Sequence, residues 1–462
     1  MDAAFCTIIA KNYLAYARVL ARSLRRHHPG APVYVLLVDE HDGFFDPASE
    51  PFTLTTLGEI GLPRPREFCF RYDVLELSTA VKPYFLRRLF ALGHSKLVFL
   101  DPDIRVYRPL DGLLRELDSA DVLLTPHLTA PLQDDHRPGE REILLCGAYN
   151  LGFLALARRP QVDGLLGWWM ERCETGCLAE PARGLFVDQK WMDLVPGFID
   201  RVQVLRHPGY NVAYWNLRHR RLEGPADEPL VNGEPLYFFH FSGLDPVKPT
   251  FLSRHEDRYL TLDEEPLAAI VQRYSAELLA AGHQASKAWP YSHATFQNGR
   301  PVSREMRQLF RALPAGRFPD PFRTSGPGTF SEWAVTPATA GLAPLTAVNG
   351  HRPGVGAAAR SLIRRMARRI GVRNGEAVTC PHDLAPLTGV ILDNRPDVAR
   401  AFLQPDGELN REGFLEWLAT DGVTQHRLDP RWPPAWRKRG PAVMPRLLAL
   451  YDGRPDLRQR FP

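Results

Sequence analysis

An apolar run closes on two carboxylates one residue apart: Lys96-Leu97-Val98-Phe99-Leu100-Asp101-Pro102-Asp103. Leu97 to Leu100 reads as a buried strand, and in an open α/β sheet ligands bind beyond the carboxyl ends of the strands. Carboxylate oxygens placed there suit a hard divalent cation, which commonly shares its shell with substrate phosphates. Asp-Pro-Asp also makes an ordinary turn, since both residue types are common where strands stop. Further on, Leu236-Tyr237-Phe238-Phe239 delivers His240, followed by Phe241-Ser242-Gly243 and Lys248-Pro249. Asn150 opens a third apolar run, Leu151-Gly152-Phe153-Leu154-Ala155-Leu156. Asp101, Asp103, Asn150 and His240 thus stand just beyond predicted strands of one sheet. Two carboxylates and an imidazole can hold a metal that bridges a diphosphate and offsets the charge developing as a bond to it breaks. Lys248 would add a point charge on the same phosphates. Plainer roles exist for each: turn residue for Asn150, loop lysine for Lys248, helix N-cap for Asp188, core histidine for His240.

The elements that must position these groups follow from periodicity. Phe5-Cys6-Thr7-Ile8-Ile9-Ala10 reads as a first strand, Tyr13 to Arg26 as a helix with Leu14, Ala17, Leu20, Ala21 and Leu24 on one face, and Val33 to Val38 as a second strand ending at Asp39. Strand, helix, strand with short connections is a βαβ opening, which implies a parallel sheet with right-handed crossovers. No Gly-x-Gly-x-x-Gly follows the first strand and no Gly-x-x-x-x-Gly-Lys-Ser/Thr loop occurs, which disfavours dinucleotide dehydrogenases and P-loop enzymes. Ser78 to Leu92 is expected to be one helix, Asp121 to Leu124 a short strand, and Pro131 to Glu142 a polar surface loop. Helical segments carrying Trp168 and Trp169 follow, the tryptophans read as core packing.

Composition bounds the class. A chain of 462 residues suggests two or three domains, and a net charge of +4 is too small for its length to imply nucleic acid as a partner. Six scattered cysteines, with Cys173 and Cys177 the only close pair, complete no zinc pattern and read as reduced thiols of a cytosolic protein. The N-terminus lacks the look of a signal peptide, and no apolar run approaches the roughly 20 residues of a membrane span.

Past about residue 275 the α/β pattern ends. We expect two regions, 1–275 and a mainly α-helical 276–462, with a Gly/Pro/Ala/Thr-rich linker near 325–356. The second region carries an imperfect repeat. Met306 to Trp333 holds Phe318-Pro319-Asp320-Pro321 and Phe330-Ser331-Glu332-Trp333; Ile391 to Trp417 holds Arg395-Pro396-Asp397-Val398, Phe402 and Phe414-Leu415-Glu416-Trp417; Leu447 to Pro462 holds a third, curtailed copy. The curtailed copy leads us to expect further domains beyond residue 462. Residues 357–373, with Arg360, Arg364, Arg365, Arg368, Arg369 and Arg373 beside Leu362, Ile363, Met366 and Ile370, form a basic amphipathic pattern. It suits either peripheral contact with an anionic membrane or a solvated helix packed on the appendage.

Phe99-Leu100-Asp101-Pro102-Asp103, Asn150-Leu151-Gly152, Asp188-Gln189, and His240-Phe241-Ser242-Gly243 with Lys248-Pro249 resemble the ordered motifs of glycosyltransferase family 8 and its GT-A-fold relatives, over roughly residues 1–265. The resemblance implies a GT-A, Rossmann-like, mainly parallel α/β domain. It implies Mn²⁺ (or Mg²⁺) held by Asp101, Asp103 and His240, and Lys248 and Gly243 at the diphosphate of a UDP-sugar. Asn150 would contact the donor sugar, Asp188 and Gln189 would line the reacting face, Thr7, Ile9, Lys11 and Asn12 would border uracil and ribose, and Lys82 would be a basic donor contact. The chain departs from the pattern where Lys190 replaces a third acidic residue, where four residues separate Gly243 from Lys248, and where Thr250 replaces a tryptophan. The implied activity is transfer, with retained configuration, of a sugar to a glycan or glycolipid acceptor in surface polysaccharide assembly, in the cytoplasm or at the inner face of the membrane. Two rivals remain at this point: a sugar-1-phosphate nucleotidyltransferase, which would open with a Gly-rich loop that is missing here, and a non-catalytic glycan-binding scaffold on a degenerate fold.

Overall fold

The structure, a computed structural model, describes residues 3–258, 265–335, 395–402, 410–418 and 421. The chain divides into two compact units, 1–293 and 294–462. The expected boundary at 275 falls inside helix Leu267–Ala280, whose buried side chains belong to the core of the first unit.

The first unit is built on a seven-stranded sheet. Its strands are β1 (Ala3–Ile9), β2 (Val33–Leu37), β3 (Thr53–Thr56), β4 (Lys96–Leu100), β6 (Val122–Pro126), β7 (Tyr149–Ala157) and β8 (Val202–Val204), in the order β8-β6-β7-β4-β1-β2-β3. Every residue of β1 is buried, as expected of a central strand covered on both faces. All strands run parallel except β7, which is antiparallel to both β4 and β6. That single reversal brings the beginning of β7, with Asn150 and Gly152, to the edge where β4 ends. Asp101 N–H donates to Gly152 O at 2.7 Å across this junction.

Helix α1 (Leu14–His27) buries Leu14, Ala17, Leu20, Ala21 and Leu24 against the sheet and ends in Arg25, Arg26 and His27, cations that favour a helix C-terminus. The single helix expected over Ser78 to Leu92 is two: α2 (Val74–Ala80) and α3 (Lys82–Ala91). Pro83 cannot donate a backbone hydrogen bond to the preceding turn, so the helix breaks at Val81 and restarts with proline in its first turn. Asp73 and Glu76 form a capping box at the start of α2. The expected loop 131–142 runs into a helix at Glu140–Cys146.

A second, small sheet completes the edge. Strand β5 (Ile104–Val106) pairs antiparallel with β9 (Phe238–His240), placing His240 opposite Ile104. The four site residues therefore come from two sheets, which corrects the expectation of one. Helix α4 (Leu267–Ala280) covers this region, with Tyr274 stacked on Phe241 at a centroid distance of 3.8 Å.

In the second unit the described helices are Arg304–Arg311, Phe330–Val335, Pro396–Phe402 and Arg411–Trp417, with short helical turns beside them. Phe318, Phe330 and Trp333 form one aromatic triad, with centroids 5.5, 5.6 and 6.0 Å apart. Phe402, Phe414 and Trp417 form another, at 5.8, 6.0 and 5.7 Å. Interplanar angles run 70°, 41° and 36° in the first and 79°, 42° and 37° in the second. The basic stretch 357–373, most of the 325–356 linker and the third copy at 447–462 lie outside the described residues. Among the described residues no helix is long and apolar enough to cross a membrane.

Candidate metal and donor site

Asp101-Pro102-Asp103 is a tight turn between β4 and β5, closed by Ile104 N–H on Asp101 O at 3.1 Å. Phe241 N–H donates to Asp103 O at 2.9 Å and His240 N–H to Val212 O at 2.8 Å, so backbone pairing alone sets the histidine beside the turn. His240 Nε2 lies 3.0 Å from Asp103 Oδ1 and 3.8 Å from Asp101 Oδ2. The three ligand atoms lie within 4.8 Å of one another. Among the described residues this is the one cluster of three His, Cys, Asp or Glu side chains with that convergence. Oxygen, oxygen and imidazole nitrogen suit Mn²⁺ or Mg²⁺.

Gly152 makes room for the ring. A Cβ there would stand 2.6 Å from His240 Nδ1 and 2.7 Å from Asn150 Oδ1, with His240 Cε1 closer still. Nδ1 has no hydrogen-bond partner, so packing against Gly152 and an edge-on Trp215 (centroids 5.2 Å apart) orients the imidazole with Nε2 toward the carboxylates. Burial opposes a charge on His240, but Asp103 and Asp101 outweigh it and raise its pKa. Burial pushes the Asp101 carboxyl up to about 6, against the pull of Lys82 and His240.

Behind the cluster lies a buried ion pair. Lys82 Nζ sits 2.7 Å from Asp188 Oδ2, both side chains nearly inaccessible. It also donates to Leu151 O at 3.0 Å and lies 4.2 Å over the Phe99 ring. Burial works to discharge Lys82; Asp188 and Asp101 outweigh it and hold its pKa above the usual lysine value. Asp188 stands at the N-cap of a 3-10 helix, Gln189–Gly197, but its side chain makes no capping bond; the carboxylate goes to Lys82 instead. The residue before it, Val187, has φ +43°, a backbone conformation unusual for a β-branched side chain. Gln189 is fixed at both ends of its amide: Oε1 accepts from Leu151 N–H at 3.0 Å, and Nε2 donates to Cys146 O at 3.0 Å. Lys190, the departure from the family pattern, donates to Leu144 O at 2.7 Å and pairs with Asp193 at 2.8 Å.

Asn150 belongs to a buried network. Its Oδ1 accepts from Gly152 N–H (3.1 Å) and Asn211 Nδ2 (3.0 Å), and its Nδ2 lies 3.3 Å from His127 Nε2. Asn211 also donates to Thr125 Oγ1 at 2.8 Å. Burial pushes the His127 pKa down to about 4, so the ring is neutral at pH 7.

The other expected donor contacts divide. Thr7 Oγ1 and Asn12 Oδ1 are buried without hydrogen-bond partners, while Ile9 is buried on β1. Lys11 is almost fully buried and committed to the protein, its Nζ bonding Asp42 (2.7 Å), Ser292 Oγ (2.8 Å) and Glu40 O (3.0 Å). Gly243, at φ +79°, lets a neighbouring segment approach, because a Cβ would stand 2.6 Å from His255 Cδ2. Lys248 is exposed in a turn closed by its own N–H on Asp245 O, and its side chain makes no hydrogen bond or ion pair with the described residues.

Several neighbours were not singled out by sequence: His127, Asn211, Trp215 and His255. Of these His127 had a readable signal, a polar residue just past the apolar strand β6. Asn211 and Trp215 reach the site, and His255 reaches Gly243, through contacts distant in sequence.

No protein-family model matches the chain. The uncharacterized protein YfnF of Bacillus subtilis strain 168 is 26% identical over 249 residues, which span 53% of this chain and 82% of YfnF. YfnD of the same strain is 23% identical over 249 residues, spanning 53% and 78%. Solved structures similar to part of the chain include the galactosyltransferase LgtC in complex with donor and acceptor sugar analogs (TM-score 0.36, 16% identity, 60% of this chain and 95% of LgtC). The glycosyltransferase GlyE of Streptococcus pneumoniae TIGR4 gives a TM-score of 0.36 at 16% identity, over 64% and 66%. The bifunctional glycosyltransferase WbbM gives 0.30 at 17% identity, over 46% and 40%. The first unit has the Rossmann-like, mainly parallel α/β sheet that the GT-A resemblance implies.

Proposed function

We propose that the first unit is a metal-dependent glycosyltransferase that moves a sugar, with retention of configuration, from a nucleotide-sugar donor of the UDP type to a glycan or glycolipid acceptor in surface polysaccharide assembly. The observation that carries this reading is the convergence of Asp101, Asp103 and His240 at the end of β4, directly in front of the buried Lys82–Asp188 pair. A Mn²⁺ or Mg²⁺ ion on these three residues would neutralise the donor diphosphate and the charge it gains as it leaves. The unpartnered oxygens of Thr7 and Asn12 supply acceptors for the base and ribose. Lys82 and Asp188, almost inaccessible and paired with each other, would form the floor beneath the donor sugar, whose hydroxyls would have to share the pair's hydrogen bonds. Gln189, pinned by two backbone groups, forms a fixed wall of the reacting face. Lys248 lies in an exposed turn and would join the diphosphate when the donor is bound. The second unit, with its paired aromatic triads, serves as a helical appendage.

The test is a thermal-shift panel of UDP, GDP, CDP and dTDP with and without Mn²⁺, on wild type and Asp103→Ala. A nucleotide at a hundred times its dissociation constant stabilises by about 2.7 kcal/mol. We expect a Mn²⁺-dependent shift with UDP that the variant loses. No shift with any nucleotide would overturn the reading in favour of a non-catalytic scaffold.

A further inference from the structure

A cavity of about 380 Å³ opens where the second half of α1 meets β5, the segment leaving β5, and α4. Its lining includes Arg22 and Arg26 of α1, Arg105 and Arg108 from β5 and its exit, and Tyr107. Each carboxylate that also lines it faces an arginine. Glu277 takes Arg105 in two hydrogen bonds of 2.8 and 2.9 Å, Glu228 lies 3.7 Å from Arg108, and Asp227 pairs with Arg273. Arg22 and Arg26 have no hydrogen bond or ion pair from their side chains to the described residues. One helical turn apart, they stand on one face of α1.

Two further observations indicate an anion. Arg108 Nε is buried without a hydrogen-bond partner, and the almost fully buried Tyr107 hydroxyl has beside it only the Arg105 guanidinium, which can donate to its oxygen and leaves its own proton unplaced. Burial lowers the pKa of His27, and Arg26, His28, Arg105 and Arg108 lower it further, which marks this wall as electropositive. Unsatisfied buried donors beside free guanidinium groups are costly unless a ligand completes them. Arginine forks match phosphate geometry in two-point contact. The cavity has the size of a small-molecule site, larger than a free phosphate ion needs.

We propose that this cavity is a second, metal-independent anion site that takes a phosphate monoester, held by Arg22, Arg26 and Arg108 with Tyr107 completing its hydrogen bonds. It is separate from the cluster of Asp101, Asp103 and His240 and does not depend on the function assigned to that cluster. The phosphate can come from a soluble ester or from a lipid headgroup.

The experiment uses the full chain carrying Asp103→Ala in EDTA, so that no phosphate is held through a metal at the first site. Glycerol 3-phosphate is titrated by calorimetry, and co-sedimentation is measured with phosphatidylcholine vesicles with and without phosphatidic acid. We expect saturable binding in at least one arm, weakened about tenfold or more by Arg22→Gln/Arg26→Gln. Binding of glycerol 3-phosphate identifies a soluble ester; binding only to phosphatidic acid vesicles identifies a headgroup. Tyr107→Phe should weaken the same binding several-fold in protein whose circular dichroism matches wild type. Absence of binding in both arms, or equal binding by the double arginine variant, would overturn the proposal.

Discussion

Gly152→Ala is a one-methyl test of how the candidate metal site is held. The added Cβ would stand 2.6 Å from His240 Nδ1 and 2.7 Å from Asn150 Oδ1, where ordinary non-bonded contacts are about 3.5 Å or more, so the ring must retreat by about 1 Å. Retreat is resisted on the far side by Trp215 and along the backbone by the Val212 and Asp103 hydrogen bonds. Overpacking of this kind costs about 1–3 kcal/mol of stability. Disturbing the groups that orient a metal-bound histidine weakens metal affinity about 10- to 100-fold. Urea unfolding of the metal-free protein measures the first effect, and Mn²⁺ titration followed by electron paramagnetic resonance measures the second. A variant that keeps wild-type Mn²⁺ affinity and stability would show that His240 is not packed against Gly152 as described, and the claim that packing aims Nε2 would fall.

The buried pair should behave as a unit. Lys82→Met leaves the Asp188 carboxylate without its cation and should cost about 3–5 kcal/mol in urea unfolding, whereas Lys82→Met/Asp188→Leu should recover much of that loss; a single variant within 1 kcal/mol of wild type would refute the pairing. His127 gives a pH dependence. Its folded pKa lies near 4, below the ordinary 6.5, so between those values the unfolded chain binds a proton that the native one does not. Stability should therefore fall as pH drops from about 6.5 toward 4, by at most about 1.4 kcal/mol per unit from this residue. The slope should shrink in His127→Gln, and an identical slope would refute the assignment. Asn211→Ala combines loss of two buried hydrogen bonds, to Thr125 and Asn150, with a positive φ of +52° that alanine tolerates less well than asparagine. It should cost about 2–4 kcal/mol, read as a lowered unfolding midpoint.

The turn carrying Asp101 and Asp103 was legible because an apolar strand that stops on carboxylates needs only local pattern to be seen. His240 was legible for the same reason, although its place in the small β5–β9 sheet was not. An alternating or continuous apolar run does not say which sheet it joins, and β9 is too short to declare its partner. The reversal of β7 was equally hidden, since a strand buried on both faces reads alike in either direction. Lys82 was singled out only through the family resemblance, and its pairing with Asp188 depends on a contact far apart in sequence. The aromatic repeat was visible because Phe330-Ser331-Glu332-Trp333 and Phe414-Leu415-Glu416-Trp417 preserve spacing, and spacing on a helix is geometry.

The order of β5 and β9 along the chain has a consequence for biogenesis. All seven strands of the large sheet have been synthesised once Val204 has been made, but the third metal-ligand candidate arrives only with β9, at His240. A nascent chain can thus assemble its sheet while the carboxylates of Asp101 and Asp103 still lack their imidazole. The ion, on this view, cannot nucleate the domain. An ion held by all three residues would act as an inspector, gripping firmly only after the last short strand has zipped into place.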